Sequence, residues 1–431
     1  MRRLPIGLLL SLAILVAAAC SGTGATPSAA GPQRGALIGN PASKGTLTAA
    51  QLDATTAKFR LQALTGTARC DVTVSQINYR TPGVQASEMS NASAAVMVPG
   101  GAACTGPFPL LAFARGTNLD KTFTNANPTN AAVQLLMAFF AAQGYAVVAT
   151  DYLGYALSTY PYHPYMHADT EASAVIDSIR AARLAAPALG LTLNGKVMIS
   201  GYSQGGHAAM AAQREVERSA AGEFNLVAAA DLAGPYNVSG ALIKGATEPI
   251  MGVQFFVPFQ VIAYQKMYGN VYAKVTDVFN APYATYIESL LPTTDIAGLP
   301  AKFPTGTPAE AQKAMFTPAF ITDLATNPAN GTIVAAKKQD LFGWNPKAPT
   351  TLCGSSDDPV VSFATNGQTV YSDFRSRGLA NVSIVDVASQ VSQAFGSVQA
   401  SDPATFQSNY HGEYEPPFCM NVAKQFFDEY K

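Results

Sequence analysis

Two stretches, CDVTVSQINYRT (70–81) and SNASAAVMVPG (90–100), flank a turn at Pro82 and Gly83 and predict paired strands, and FPLLAFARGT (108–117) reads as a third, more buried one. Beyond them the pattern changes. NAAVQLLMAFFAAQG (130–144) has helical spacing and closes on Gly144, YAVVATDYLG (145–154) is a continuous apolar strand, and TEASAVIDSIRAARLAA (170–186) is an amphipathic helix. The strand KVMIS (196–200), the helix GGHAAMAAQREVERS (205–219) and the strand NLVAAADLAG (225–234) continue the alternation. Strands dominated by apolar residues, alternating with helices, imply a mostly parallel sheet covered on both faces.

From 237 to 343 the alternation stops and the chain is rich in aromatics and proline, most hydrophobic at QFFVPFQVIAYQKMYGNVY (254–272); this predicts a helical cap inserted into the α/β core. The sheet is expected to resume at APTTLCG (348–354) and NVSIVDV (381–387), and the chain to end on the helix MNVAKQFFDEY (420–430). Before residue 50 the patterning is of another kind. Arg2 and Arg3, the run LLLSLAILV and AAAC read as an export signal over 1–20, with Cys20 placed as the acylated cysteine of a bacterial lipoprotein. Residues 21–49, rich in Ser, Gly, Ala, Thr and Pro, read as a flexible tether. The core would then comprise 50–236 and 344–431.

A formal net charge of −1, with no run of Lys or Arg, excludes a nucleic-acid partner and leaves the N-terminal lipid as the only membrane contact. Setting Cys20 aside from the five cysteines leaves Cys70, Cys104, Cys353 and Cys419, an even number suited to disulfides in an oxidising compartment. Of three pairings, the local one is expected, Cys70 with Cys104 and Cys353 with Cys419. No Cys/His spacing calls for a metal.

Gly201-Tyr202-Ser203-Gln204-Gly205 matches G-x-S-x-G, a weak signal alone that is strengthened by the strand before it and the small-residue helix after it. A serine on such a sharp turn is held in a strained conformation, and side chains two positions either side would collide with neighbouring elements. Ser203 is therefore the expected nucleophile. It needs a base oriented by a carboxylate, in the chain order Ser, acid, His. Of the four histidines, His163, His167, His207 and His411, only His411 fits that order; it lies in NYHGEYEPPFC, read as a Gly- and Pro-rich loop. The acid should follow TTLCG, where Asp358, directly before PVV, is favoured over Asp357, which would cap the turn; Asp231 and Asp386 are distant alternatives. Backbone N–H groups of Gln204 and Thr117 are the expected oxyanion donors. His163 and His167, spaced i, i+4 near Asp169 and Glu171, are interrupted by Pro161 and Pro164 and are read as a rim loop rather than a metal pair.

Together GYSQGG, VMVPGGAACTGPFPLLAFARGT, DYLGYALSTYPYHPYMHADTEASAVIDSIRAAR, AGPYNVSG, LCGSSDDPVV and YHGEYEPPFC resemble the secreted α/β-hydrolase lipases and esterases, the secretory-lipase-like group, from about Cys70 to the C-terminus. The resemblance implies the α/β-hydrolase fold, a cap over the site, no cofactor, and hydrolysis of small-molecule carboxylic or lipid esters through an acyl-enzyme, with Ser203, Asp358 and His411 at the matching positions. An amidase or peptidase on the same fold, and an inactive binding module, are the alternatives. Arg115 departs from the family, where many relatives carry His; it is expected to form a structural salt bridge or to meet an acidic substrate group. Phe255, Phe256 and Phe259 in the cap are candidates for either the cap core or an acyl pocket.

Overall fold

The computed structural model describes residues 33–85 and 87–431; the export signal and Cys20 lie outside them. Nine strands form one sheet in the order β1-β2-β3-β5-β4-β6-β7-β8-β9. They are β1 (Ala42–Leu47), β2 (Asp71–Pro82), β3 (Met89–Gly100), β4 (Phe108–Ala114), β5 (Ala146–Thr150), β6 (Leu193–Tyr202), β7 (Asn225–Leu232), β8 (Thr350–Gly354) and β9 (Val382–Asp386). The contacts of β1 with β2, β2 with β3 and β3 with β5 are antiparallel, and the rest are parallel.

The central strands are largely apolar because both faces are covered. Leu110, Ala112 and Ala114 of β4 and Val197 and Ile199 of β6 enter one core, which they share with the helices Ala168–Ala185 and Gln204–Ser219. Leu111 and Phe113 of β4 and Met198 and Tyr202 of β6 enter the other, with the helices Ala131–Phe139 and Pro416–Asp428. Helix Ala131–Phe139 stops on a single 3₁₀ turn closed by Gly144, whose φ of 87° suits glycine.

Between β7 and β8 a run of helices from Val238 to Lys337 builds a third apolar cluster of its own. Among the described residues no helix is long and apolar enough to cross a membrane.

The tether expected over 21–49 does not hold for its described end. Residues 42–47 form strand β1 on the edge of the sheet, and Arg34 pairs with the buried carboxylate of Asp177 at 3.1 Å. An edge strand can be held by ladder hydrogen bonds to a long neighbour with little burial of its own side chains. Composition, which counts apolar residues, therefore misses it.

Both disulfides have the expected pairing, Cys70–Cys104 with Cα atoms 5.6 Å apart and Cys353–Cys419 with 5.5 Å.

Candidate active site

The end of β6 and the helix that follows it meet at Ser203, which has φ 59° and ψ −122°. A β-carbon at Gly205 would lie 1.9 Å from the carbonyl oxygen of Ala114 in β4, and one at Gly201 would lie 2.1 Å from the carbonyl oxygen of Gly205. Both glycines let the backbone of the turn press against β4, and the strained serine is the consequence of that closeness.

His411 Nε2 lies 2.8 Å from Ser203 Oγ, and its Nδ1 lies 2.7 Å from Asp358 Oδ2. A carboxylate accepts, so Nδ1 carries the proton and Nε2 keeps the lone pair that receives the serine hydroxyl. Residues separated by 208 and 53 positions in the chain thus form one hydrogen-bonded line.

Asp358 follows β8, and its second oxygen, Oδ1, accepts the N–H groups of Val360 and Val361. It therefore caps the turn that was assigned to its neighbour, whereas Asp357 is exposed. Asp386 accepts the N–H groups of Ser356 and Ala388. Asp231 is fully buried with neither oxygen hydrogen-bonded among the described residues, and burial raises its pKa. None of these three hydrogen-bonds to a histidine.

His411 does not sit on a loop. Tyr410–Tyr414 make a π-helical turn between the helices Pro403–Asn409 and Pro416–Asp428. Pro416 and Pro417, read from the sequence as loop residues, occupy the first turn of the second helix, where no intrahelical N–H is needed. Tyr202, next to the nucleophile, donates its hydroxyl to the His411 carbonyl at 2.7 Å and ties this turn to the elbow.

Gly116 packs beside the elbow, where an added β-carbon would be 3.5 Å from Ser203 Cβ. Thr117, Ser203 and Gln204 line one cavity of about 550 Å³. Among the described residues, neither the Gln204 nor the Thr117 backbone N–H donates to another protein group. Two residues with uncommitted backbone N–H groups therefore line the same cavity as the serine.

Sequence reasoning missed what holds Gln204. Its Nε2 donates to Nε2 of His163 and to Oε1 of Glu171, each at 2.7 Å. His163 Nδ1 donates to the Leu153 carbonyl at 2.9 Å, which leaves Nε2 as an acceptor. Burial pushes the pKa of this imidazole down to about 4, so it is neutral. Glu171 Oε2 is 2.6 Å from His207 Nδ1, and His207 Nε2 donates to the Gln339 carbonyl at 2.9 Å.

His163 and His167 are thus buried, not on an open rim, and they are turned apart, since His167 Nδ1 pairs with Thr170. The only sequence signal for the network was the cluster of His163, His167 and Glu171 in one short segment, with His207 one turn after the elbow.

Among the described residues Arg115 makes no salt bridge, and it does not line the cavity. It is buried, donates to the carbonyls of Gly116 and Asp151, and lies over the ring of Tyr155 at 4.1 Å, beside Tyr152 and Phe123. Stacking among aromatic rings satisfies a guanidinium without a carboxylate contact. Of the cap phenylalanines, Phe256 lines the cavity; Phe255 packs on Phe303 at 4.7 Å, and Phe259 stacks on Tyr165 at 4.4 Å.

A hydroxyl aligned with an imidazole and a carboxylate, beside two free N–H donors and an apolar cavity, can transfer an acyl group. Residues 124–270 match the model of the family described as secretory lipase. The rice cell wall degrading esterase LipA from Xanthomonas oryzae is 33% identical and superposes with a TM-score of 0.82, over 93% of this chain and 100% of that one. A putative hydrolase from Legionella pneumophila, 20% identical over 92% of this chain and 98% of that one with a TM-score of 0.77, shares the fold. So does lipase A of Candida antarctica in its closed state, 17% identical over 88% and 83% with a TM-score of 0.58. No curated protein matches the sequence.

Proposed function

Because the chain belongs to the secretory lipase and esterase family, we propose that it hydrolyses carboxylic esters with Ser203 as nucleophile, His411 as general base and acid, and Asp358 as the group that orients the imidazole. The observation that carries this reading is the unbroken line from Ser203 Oγ through His411 to Asp358.

Ser203 Oγ attacks the ester carbonyl as its proton passes to Nε2 of His411, forming the new C–O bond. The negative charge on the former carbonyl oxygen is met by the N–H groups of Gln204 and Thr117. When the tetrahedral species collapses, the C–O bond to the alcohol breaks and His411 returns the proton to the leaving oxygen. Water then repeats both steps on the acyl-enzyme, with His411 again as base.

The helices over 237–343 serve in this reading as the cap. The cavity beneath them, bordered by Val238, Leu242, Val253, Phe256 and Val360, takes an apolar acyl chain. The two disulfides suit an extracytoplasmic enzyme. Residues 1–20 act as its export signal and Cys20 as its lipid attachment point, supported by Arg2, Arg3 and the apolar run after them; loss of fatty-acid labelling in Cys20→Ser would bear this out, and retained labelling would refute it.

The test of the activity is a panel of p-nitrophenyl esters of increasing acyl length, run beside matched amides, on wild type and Ser203→Ala. Ester turnover abolished by the substitution is expected. Equal turnover by the variant would remove the mechanism, and faster turnover of amides would reassign the substrate.

A further inference from the structure

We infer that Glu415 is a second carboxyl of the His411 site, a positioning residue that shares one proton with Asp358 and takes over the imidazole when Asp358 is removed. This rests on Ser203, His411 and Asp358 working as proposed above.

Glu415 lies one turn after His411 and immediately before the helix Pro416–Asp428, whose N–H groups at Phe418 and Cys419 donate to its backbone carbonyl. The Cys353–Cys419 bridge pins that first turn to β8, so the Glu415 backbone is held on two sides. Its side chain is fully buried, with Oε2 3.9 Å from His411 Nδ1, and Oε2 has no hydrogen-bond partner among the described residues. One ligand atom from each of Asp358, His411 and Glu415 lies within 4.8 Å of the others.

A buried acid with an unpartnered oxygen is costly, and glutamine or leucine would fill the same space with less desolvation. Two carboxyls this close cannot both ionise, so one proton resides on the pair. Asp358 makes the short bond to Nδ1 and accepts two backbone N–H groups, whereas Glu415 Oε2 accepts none, so the hydrogen-bond geometry assigns the proton to Glu415. Burial first, and the Asp358 charge second, push the Glu415 pKa up.

The groups facing Glu415 are Asp358 after β8, His411 and Tyr410 on the π turn, Tyr202 at the end of β6, Tyr236 after β7 and Asp386 at the end of β9. None is a lysine or arginine that would hold it permanently charged. With Asp358 absent, Glu415 can release its proton to solvent and accept the Nδ1–H bond after closing the remaining gap.

The test measures kcat/KM for a p-nitrophenyl ester against pH in the full chain carrying Asp358→Ala, Glu415→Gln, or both. Loss of the orienting acid in such a triad costs about 10⁴-fold. With Glu415 present, Asp358→Ala should lose only about 10²-fold, and the acid limb of its pH profile should move to alkaline pH. The double variant should lose the remaining ~10²-fold. Equal activity of Asp358→Ala and the double variant overturns the inference.

If alanine at 358 unfolds the turn, Asp358→Asn retains an acceptor for Val360 and Val361, and the comparison is made there. Adding Glu415→Gln should then cost a further tenfold or more, and no further loss overturns the inference. Ser203→Ala run alongside separates the two readings. Turnover by that variant defeats the triad, whereas an inert Ser203→Ala with no Glu415 dependence defeats only the role of Glu415.

Discussion

Replacing Cys353 and Cys419 together by serine should lower both stability and activity, whereas replacing Cys70 and Cys104 should lower stability alone. The bridges close loops with sequence separations of 66 and 34. In the chain-entropy model these are worth about 4.4 and about 3.8 kcal/mol, a difference too small to separate by melting. For roughly 400 residues the unfolding entropy is on the order of 0.8 kcal/mol per degree, so both midpoints should fall by about 5 °C.

The sites differ in what they hold. Cys353 is the penultimate residue of β8, shortly before Asp358, and Cys419 sits in the first turn of the helix that follows His411. Loss of that bridge lets the His411 turn and the Asp358 turn drift relative to each other. A misplacement near 1 Å costs up to ~100-fold in rate. Expected is a 10- to 100-fold fall in kcat/KM for Cys353→Ser/Cys419→Ser at 25 °C, where the fold persists, and under threefold for Cys70→Ser/Cys104→Ser. Differential scanning fluorimetry and p-nitrophenyl ester kinetics on the same samples provide the comparison. Equal activity loss in both variants, or a fall in midpoint with intact activity at Cys353 and Cys419, would refute the reasoning.

Gly205→Ala should destabilise by about 1–3 kcal/mol or more and remove most activity, because its β-carbon would meet the Ala114 carbonyl at 1.9 Å; Gly222→Ala, with nothing within 4 Å, is the matched control, and parity between the two in melting and rate would contradict the account of the elbow. His163 is held neutral, with a folded pKa of about 4 against an ordinary value near 6.5, so the unfolded chain binds the extra proton between those values. Its contribution to stability is therefore complete above pH ~6.5 and is lost as pH falls toward ~4; the melting midpoint of His163→Gln should fall less steeply than that of wild type over this range, and parallel curves would speak against it. Truncation through residue 48 should cost on the order of 1 kcal/mol more than truncation through residue 32, since it removes β1 and the half-exposed Arg34 from Asp177; identical urea midpoints would show that the edge contributes nothing.

Much of the site was legible because its signals are local or exclusionary. The strain at Ser203 is written in its two flanking glycines, and chain order with only four histidines leaves His411 alone as the candidate base. Other features were misread where composition stands in for geometry. Residues 42–47 look like linker yet pair with β2, and Pro416 and Pro417 look like loop yet open a helix. Glu415 was invisible for a different reason. Its distance from His411 depends on the π turn between them, and that turn depends on the packing of Tyr202 and the Cys353–Cys419 bridge.

By itself the sequence determined the alternation of strands and helices, the elbow and the identity of the three aligned residues, because each follows from side chains within a few positions of one another or from the order of elements along the chain. Only the tertiary structure decided that a second carboxyl, Glu415, lies 3.9 Å from the imidazole, that burial keeps His163 neutral, and that Arg115 is boxed by aromatic rings. These depend on burial and on contacts between segments hundreds of residues apart, where the loss of water sets the energy of every charge.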